Sequence, residues 1–199
     1  MIVKDLGLVD YLSTYQAMQA FTLQRDSNTE DELWLLEHDP VFTQGLNGKA
    51  EHIFDTGTIP IVKTDRGGQI TYHGPGQLIA YTLFDLKRNK IGVREMVSRL
   101  EKSVITMLAD LGIEAQSRTD APGVYTDDYK IASLGLRVKQ GCCYHGLSLN
   151  IAMDLSPFSG INPCGLTDMD MIDLTRLGYD ITMEQAKQRF VTAITEQMK

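Results

Sequence analysis

Strand-forming runs dominate the middle of this 199-residue chain and helix-forming runs flank both ends, with few strict strand–helix–strand alternations. Such an order favours an α+β domain, a mixed sheet flanked by helices, over a doubly wound parallel sheet. Residues 9–25 carry Tyr11, Leu12, Tyr15, Met18 and Phe21 near helical spacing. Strands are predicted over 32–36 and 41–42, parted by the Asp39-Pro40 turn, and then over 59–63 and 77–85. The clearest helix covers 93–111, where Val93, Met96, Val97, Leu100, Val104, Met107, Leu108 and Leu111 form one apolar stripe that ends at Gly112. Further strands are predicted over 123–126, 130–139 and 145–151, with Gly141 at the last turn. Thr182 and Gln185 have capping-box spacing for a helix running to about 197. No linker or repeat divides the chain, so residues 1–199 read as one domain.

Composition narrows the function. A 43% hydrophobic and 23% charged chain can bury a core, and the net charge of −7 argues against nucleic acid. No run is apolar for long enough to span a membrane, and residues 1–5 show no export signal, so a cytoplasmic protein is expected. The cysteines are Cys142, Cys143 and Cys164; adjacent cysteines rarely bridge, and no ligand spacing for a metal is present. Arg66, Lys87, Arg88, Lys90 and Arg94 offer either a basic docking patch or an ordinary solvated surface.

Four segments carry the chemistry. Arg66-Gly67-Gly68-Gln69-Ile70-Thr71-Tyr72-His73-Gly74-Pro75-Gly76-Gln77 mixes glycines with a cation, a ring and an imidazole, more than a plain turn needs, and reads as a ligand-binding loop. In Lys130-Ile131-Ala132-Ser133-Leu134-Gly135, the lysine either projects into solvent or sits in a cleft where it exchanges protons. His145, in Tyr144-His145-Gly146-Leu147-Ser148-Leu149-Asn150, is a structural or a supporting histidine. Asn162-Pro163-Cys164-Gly165 places a cysteine in a sharp loop that favours access, while Cys142 and Cys143 follow a hairpin glycine and read as structural.

Together these segments, in this order and at these intervals, resemble the lipoyl(octanoyl)transferase family. The resemblance implies the fold of the biotin and lipoate protein ligase catalytic domains. It implies octanoyl (or lipoyl) transfer from the phosphopantetheine of acyl carrier protein to a lysine of lipoyl domains, in 2-oxoacid dehydrogenase complexes and glycine cleavage H protein. It assigns Cys164 as the acyl-thioester nucleophile and Lys130 as the residue that tunes it, without ATP or metal. Arg66, Gly67, Gly68, Gln69, Ile70, Thr71, Tyr72 and His73, with Ser133, Leu134, Gly135, Gly146, Leu147 and Ser148, would bind substrate. Oxyanion donors are expected from the glycine loop or a Leu134-Gly135 turn. An ATP-dependent ligase would leave Asn162-Pro163-Cys164-Gly165 unexplained, and a non-catalytic acyl-binding module would never become acylated. The part of the chain beyond 168 matches no motif.

Overall fold

The computed structural model describes residues 1–119, 121–163 and 170–199. Cys164 therefore lies outside the described residues. The chain opens with β1 (Ile2–Val9) and α1 (Tyr11–Gln24), then β2 (Glu32–His38), β3 (Val41–Gln44), β4 (Ile61–Lys63), β5 (Ile70–His73) and β6 (Gln77–Asp85). It continues through α2 (Val93–Ala109), β7 (Gln116–Ser117), β8 (Gly123–Thr126), β9 (Tyr129–Lys139), β10 (Cys142–Asn150) and α3 (Met183–Gln197). Seven strands form one sheet in the order β1-β2-β6-β10-β9-β8-β7, and β4-β3-β5 form a small second sheet. Both sheets are mixed: β1 runs parallel to β2 and β4 parallel to β3, while the other pairings are antiparallel.

Alternation along the central strands explains the layers. On β2, Leu33 and Leu35 join Met96, Leu100, Val104 of α2 and Phe190 of α3 in one core. Trp34 and Leu36 face the other way and pack with Met18 of α1, Ile79 and Tyr81. A strand buried on both faces reads as a continuous apolar run, which is how 77–85 appears in the sequence. The helix ends follow local chemistry. Asp10 caps α1 by accepting from Ser13 N–H at 2.8 Å, and Thr182 and Gln185 close a reciprocal capping box on α3.

Three strands depart from expectation, the shortest being the two-residue β7, which no run of strand-forming residues marks. The segment 66–77 is not a loop throughout, because β5 occupies its middle and pairs with β3. β1 is absent from the sequence reading: it is an edge strand, mostly exposed, so no burial pattern marks it.

Candidate active site

A cavity of about 470 Å³ lies where the large sheet meets the small one. β8 pairs with β9 only as far as Ser133. Beyond that point the segment 66–69 crosses the open edge of β9, and Gly67 N–H donates to Leu136 O at 2.9 Å. A Cβ on Gly135 would stand 2.9 Å from Gly67 O, so the absence of a side chain lets the two backbones approach. Leu134 and Gly135 lie within β9 and form no turn, which corrects the expected oxyanion turn.

The cavity is lined by Arg66, Gly67, Gly68, Gln69, Ile70, Thr71 and His73, by Lys130, Ser133, Leu134 and Gly135, and by His145, Gly146, Leu147 and Ser148. Tyr72 is not among these residues. Alternation in β5 turns its ring to the far side of the small sheet, against Phe42 and, 5.5 Å away, Phe158. Tyr11, Tyr81, Val93 and Val97 complete parts of the wall that motif reading did not reach, and Pro163 of the Asn162-Pro163-Cys164-Gly165 motif lines it as well.

At one end Lys130 is 4% exposed, so it does not project into solvent. Its Nζ donates to Pro122 O at 3.0 Å and sits 5.4 Å from the centroid of the Tyr125 ring. Gly123 makes room for it: a Cβ there would meet Lys130 Cε at 2.5 Å and Ala132 O at 2.8 Å. Glu101 reinforces the same corner by accepting from Gly123 N–H at 3.1 Å. The Lys130 backbone is tied on both sides, its N–H to Asp170 O at 2.9 Å and its O to Ile172 N–H at 3.0 Å. The C-terminal part that matched no motif thus buttresses the lysine. Pro163, which precedes Cys164 in sequence, lines the same cavity.

From Ile172, beside Lys130, a polar network runs to the histidines, and its proton positions follow from one another. Ile172 O can only accept, so Asn150 turns its amide nitrogen to it at 3.0 Å. Asn150 Oδ1 then accepts from Gln77 Nε2 at 2.9 Å, and Gln77 Oε1 accepts from His73 Nδ1–H at 2.7 Å. His73 Nε2 is left to accept from the Thr43 hydroxyl at 3.2 Å, whose oxygen in turn accepts from Arg66 Nε. Burial pushes His73 down to about 3, which keeps it neutral. His38 is likewise pushed down to about 4 by burial; its Nδ1–H donates to Val9 O and its Nε2 accepts from Tyr81 O–H at 2.7 Å.

His145 is held differently. Its backbone is left-handed at φ 60, a strained setting for a non-glycine residue within a strand. Its ring meets Tyr15 at 5.3 Å and Tyr144 at 5.1 Å, and its Nε2–H donates to Asp65 Oδ1 at 3.2 Å. Burial lowers the His145 pKa despite that carboxylate. Burial alone would raise Asp65, but hydrogen bonds from His145, Tyr144 and Tyr15 hold it well below the usual carboxylate range. Thr71, also in the lining, has its Oγ1 buried without a hydrogen-bond partner among the described residues. It is a wall group left for something polar in the cavity.

Arg66 is also buried, so it cannot contribute to a basic surface; its guanidinium donates to Thr43 and to Gly67 O. Of the other basic residues, Arg88 is bound to Asp31 at 2.6 Å. Cys142 and Cys143 are free thiols buried in β10, and burial pushes Cys143 up to about 11, away from reactivity. Among the described residues no group of His, Cys, Asp or Glu is placed to hold a metal ion, and no helix is long and apolar enough to cross a membrane.

The model of the lipoyl protein ligase A/B catalytic domain matches residues 10–195. An octanoyltransferase from Chromobacterium violaceum is 57% identical over 190 residues, covering 96% of this chain and 92% of its own. An octanoyltransferase from Vibrio cholerae is 57% identical over 188 residues, covering 94% of this chain and 87% of its own. Among solved structures, a putative lipoate protein ligase from T. acidophilum with bound lipoic acid superposes with a TM-score of 0.80 at 15% identity, covering 99% of this chain and 85% of that one. A biotin protein ligase from Aquifex aeolicus follows at 0.60 and 12%, covering 100% and 68%.

Proposed function

Since the chain belongs to the lipoyl protein ligase A/B catalytic-domain family and transfers octanoyl groups in protein lipoylation, we propose that it does so through a thioester on Cys164 with Lys130 as its proton partner. The observation that carries this reading is the placement of Lys130: a buried amine in the wall of an acyl-sized cavity that Pro163, the residue before Cys164, also lines.

The chemistry follows from proton balance. Attack on a thioester needs the thiolate, and a nearby lysine that takes the thiol proton favours it. That proton then leaves with the departing thiol of the carrier, so the C–S bond to the carrier breaks as the bond to Cys164 forms. In the second half-reaction the acceptor amine attacks, the acyl–sulfur bond breaks, and the amine proton passes by way of Lys130 back to sulfur. Thioester exchange is close to balanced and amide formation is downhill, so neither ATP nor a metal ion enters. Leu134, Leu147 and Val97 give the acyl chain an apolar wall, and Thr71 offers its hydroxyl to the acyl oxygen. The donor is octanoyl-acyl carrier protein and the acceptors are lipoyl domains of 2-oxoacid dehydrogenase complexes and glycine cleavage H protein, all in the cytoplasm.

Intact mass after mixing with octanoyl-carrier protein tests the thioester: an octanoyl increment is expected on wild type and not on Cys164→Ser. Activity confined to free octanoate with ATP and Mg²⁺ would overturn the reading in favour of a ligase.

A further inference from the structure

The large cavity follows the ladder between β9 and β10. Four consecutive rungs line it, from Ser133–Ser148 at one end to Leu136–His145 at the other. The rungs just outside, Ala132–Leu149 and Arg137–Tyr144, take no part in the lining. The amine stands at the first rung, because Lys130 Cε and Nζ lie against Gly123, which pairs with Ser133. At the last rung stands His145, a buried imidazole that the proton transfers above do not use. Three steps of about 3.4 Å separate these ends, roughly 10 Å in all. The seven carbon–carbon bonds of an extended octanoyl chain, each about 1.5 Å and zigzagged, span roughly 9 Å.

The imidazole is braced by several partners. Its Nε2–H donates to Asp65 Oδ1 at 3.2 Å. Asp65 accepts in turn from the Tyr144 hydroxyl and gives its own N–H to the Tyr15 oxygen at 3.3 Å. Tyr15 and Tyr144 stack on the ring, and Tyr81 meets it edge-on with centroids 6.0 Å apart. The Thr82 hydroxyl ties down His145 O at 3.2 Å, in a backbone already left-handed at φ 60. A ring held in this way yields to a longer tail only by breaking several contacts together.

We propose that His145 is the end stop of the acyl slot and selects octanoyl over longer chains. This rests on the reading above, which puts the reacting carbonyl beside Lys130. With the carbonyl at the first rung, the chain lies along the ladder and its terminal methyl meets the imidazole. Two further carbons add about 2.5 Å, more than the slot has left. A decanoyl chain must then buckle or hold its carbonyl short of the lysine.

Competition for one lipoyl domain among carrier proteins loaded with six-, eight-, ten- and twelve-carbon chains reads the stop directly. The intact masses of the amide products give ratios of kcat/KM. Wild type is expected to fall about tenfold or more between eight and ten carbons. His145→Gly removes the ring at a backbone setting that glycine adopts freely, and leaves Asp65 its two tyrosines. Its ten-to-eight ratio should rise about tenfold over wild type. His145→Phe puts back a ring of similar size and should hold that ratio within about threefold of wild type. A merely structural defect slows every chain length alike and leaves the ratios unmoved. Wild-type rates without a break after eight carbons, or a His145→Gly ratio at the wild-type value, overturn the end stop. The octanoyl increment on the protein is read separately. Its absence with the break intact removes Cys164 as the acyl carrier and leaves the stop, whereas its presence without a break removes the stop alone.

Discussion

At its histidine end the large cavity is walled by groups whose protons are already assigned, whereas at its lysine end the amine donates to Pro122 O, lies over the Tyr125 ring and feels the Glu101 carboxylate. His73 and His145 in the wall, and His38 packed against His73, each hold a neutral tautomer fixed by a named partner, and changing any one of them disturbs a chain of donors and acceptors. Lys130 is positioned instead by packing around Gly123 and by backbone ties to Asp170 and Ile172. The contrast separates two tasks. A pocket wall works best with its polar groups satisfied, while a proton-exchanging group needs neighbours that hold it in place and leave its proton transferable.

The sharpest attempt to break this division is Lys130→Ala. Acylation by octanoyl-carrier protein in a single turnover is expected to fall by about 10² to 10⁴, with the thermal midpoint little changed. Gly123→Ala probes the same end by displacing the amine and leaving it in the chain. Because the new methyl would intrude on Lys130 Cε, acylation should drop roughly tenfold while far-ultraviolet circular dichroism stays as in wild type. His73→Ala attacks the other end: it removes the donor to Gln77 Oε1 and the acceptor of the Thr43 hydroxyl, and should lower unfolding free energy in urea by about 1–3 kcal/mol, with acylation within about tenfold of wild type. A His73→Ala defect in acylation equal to that of Lys130→Ala would collapse the distinction.

The mildest probe is pH. His38 and His73 are depressed from the ordinary 6.5 to about 4 and about 3. Below pH 6.5 the unfolded chain therefore binds protons that the folded one refuses, and the stabilisation present at neutral pH is lost as pH falls toward 4. Asp65 has the opposite chemistry, but its contribution begins to fade only near and below the ordinary carboxylate value of 3.8. The urea midpoint should thus decline between pH 6.5 and 4.5 through the histidines. A flat profile there would mean that the histidine end is not held neutral.

Much of this arrangement was readable before folding, and the unread part has a physical cause. Glycines at 67, 68 and 135 advertise close backbone approach, and the lysine, histidines and Thr71 stand in recognisable company. The helices at 11–24, 93–109 and 183–197 are legible from periodicity and caps. Tyr11, Thr43, Asp65 and Tyr81 are not, because each sits in an unremarkable local context and joins the site only when α1, β3 and β6 converge. β5 was hidden by the glycines around it; its strand character comes from Ile70 and Tyr72 packing on Phe42, which is remote in sequence. Nor can any local pattern announce that His145 is left-handed, since a positive φ at a non-glycine residue within a strand follows from no local propensity.

The outer strand has a consequence of its own. β1 leaves one rim of the large sheet uncovered, with Ile2, Val3 and Leu8 exposed. Such a rim invites a stray strand to zip on and start an aggregate. Here the register slips between Asp5 and Gly7, Gly7 turns left-handed at φ 66, and Lys4 and Asp5 are drawn aside to Glu32 and Lys187. The kink denies an incoming chain a straight run of bonds, so colloidal safety is written into the first ten residues. Smoothing it with Gly7→Val should show as turbidity on concentration well before any loss of catalysis.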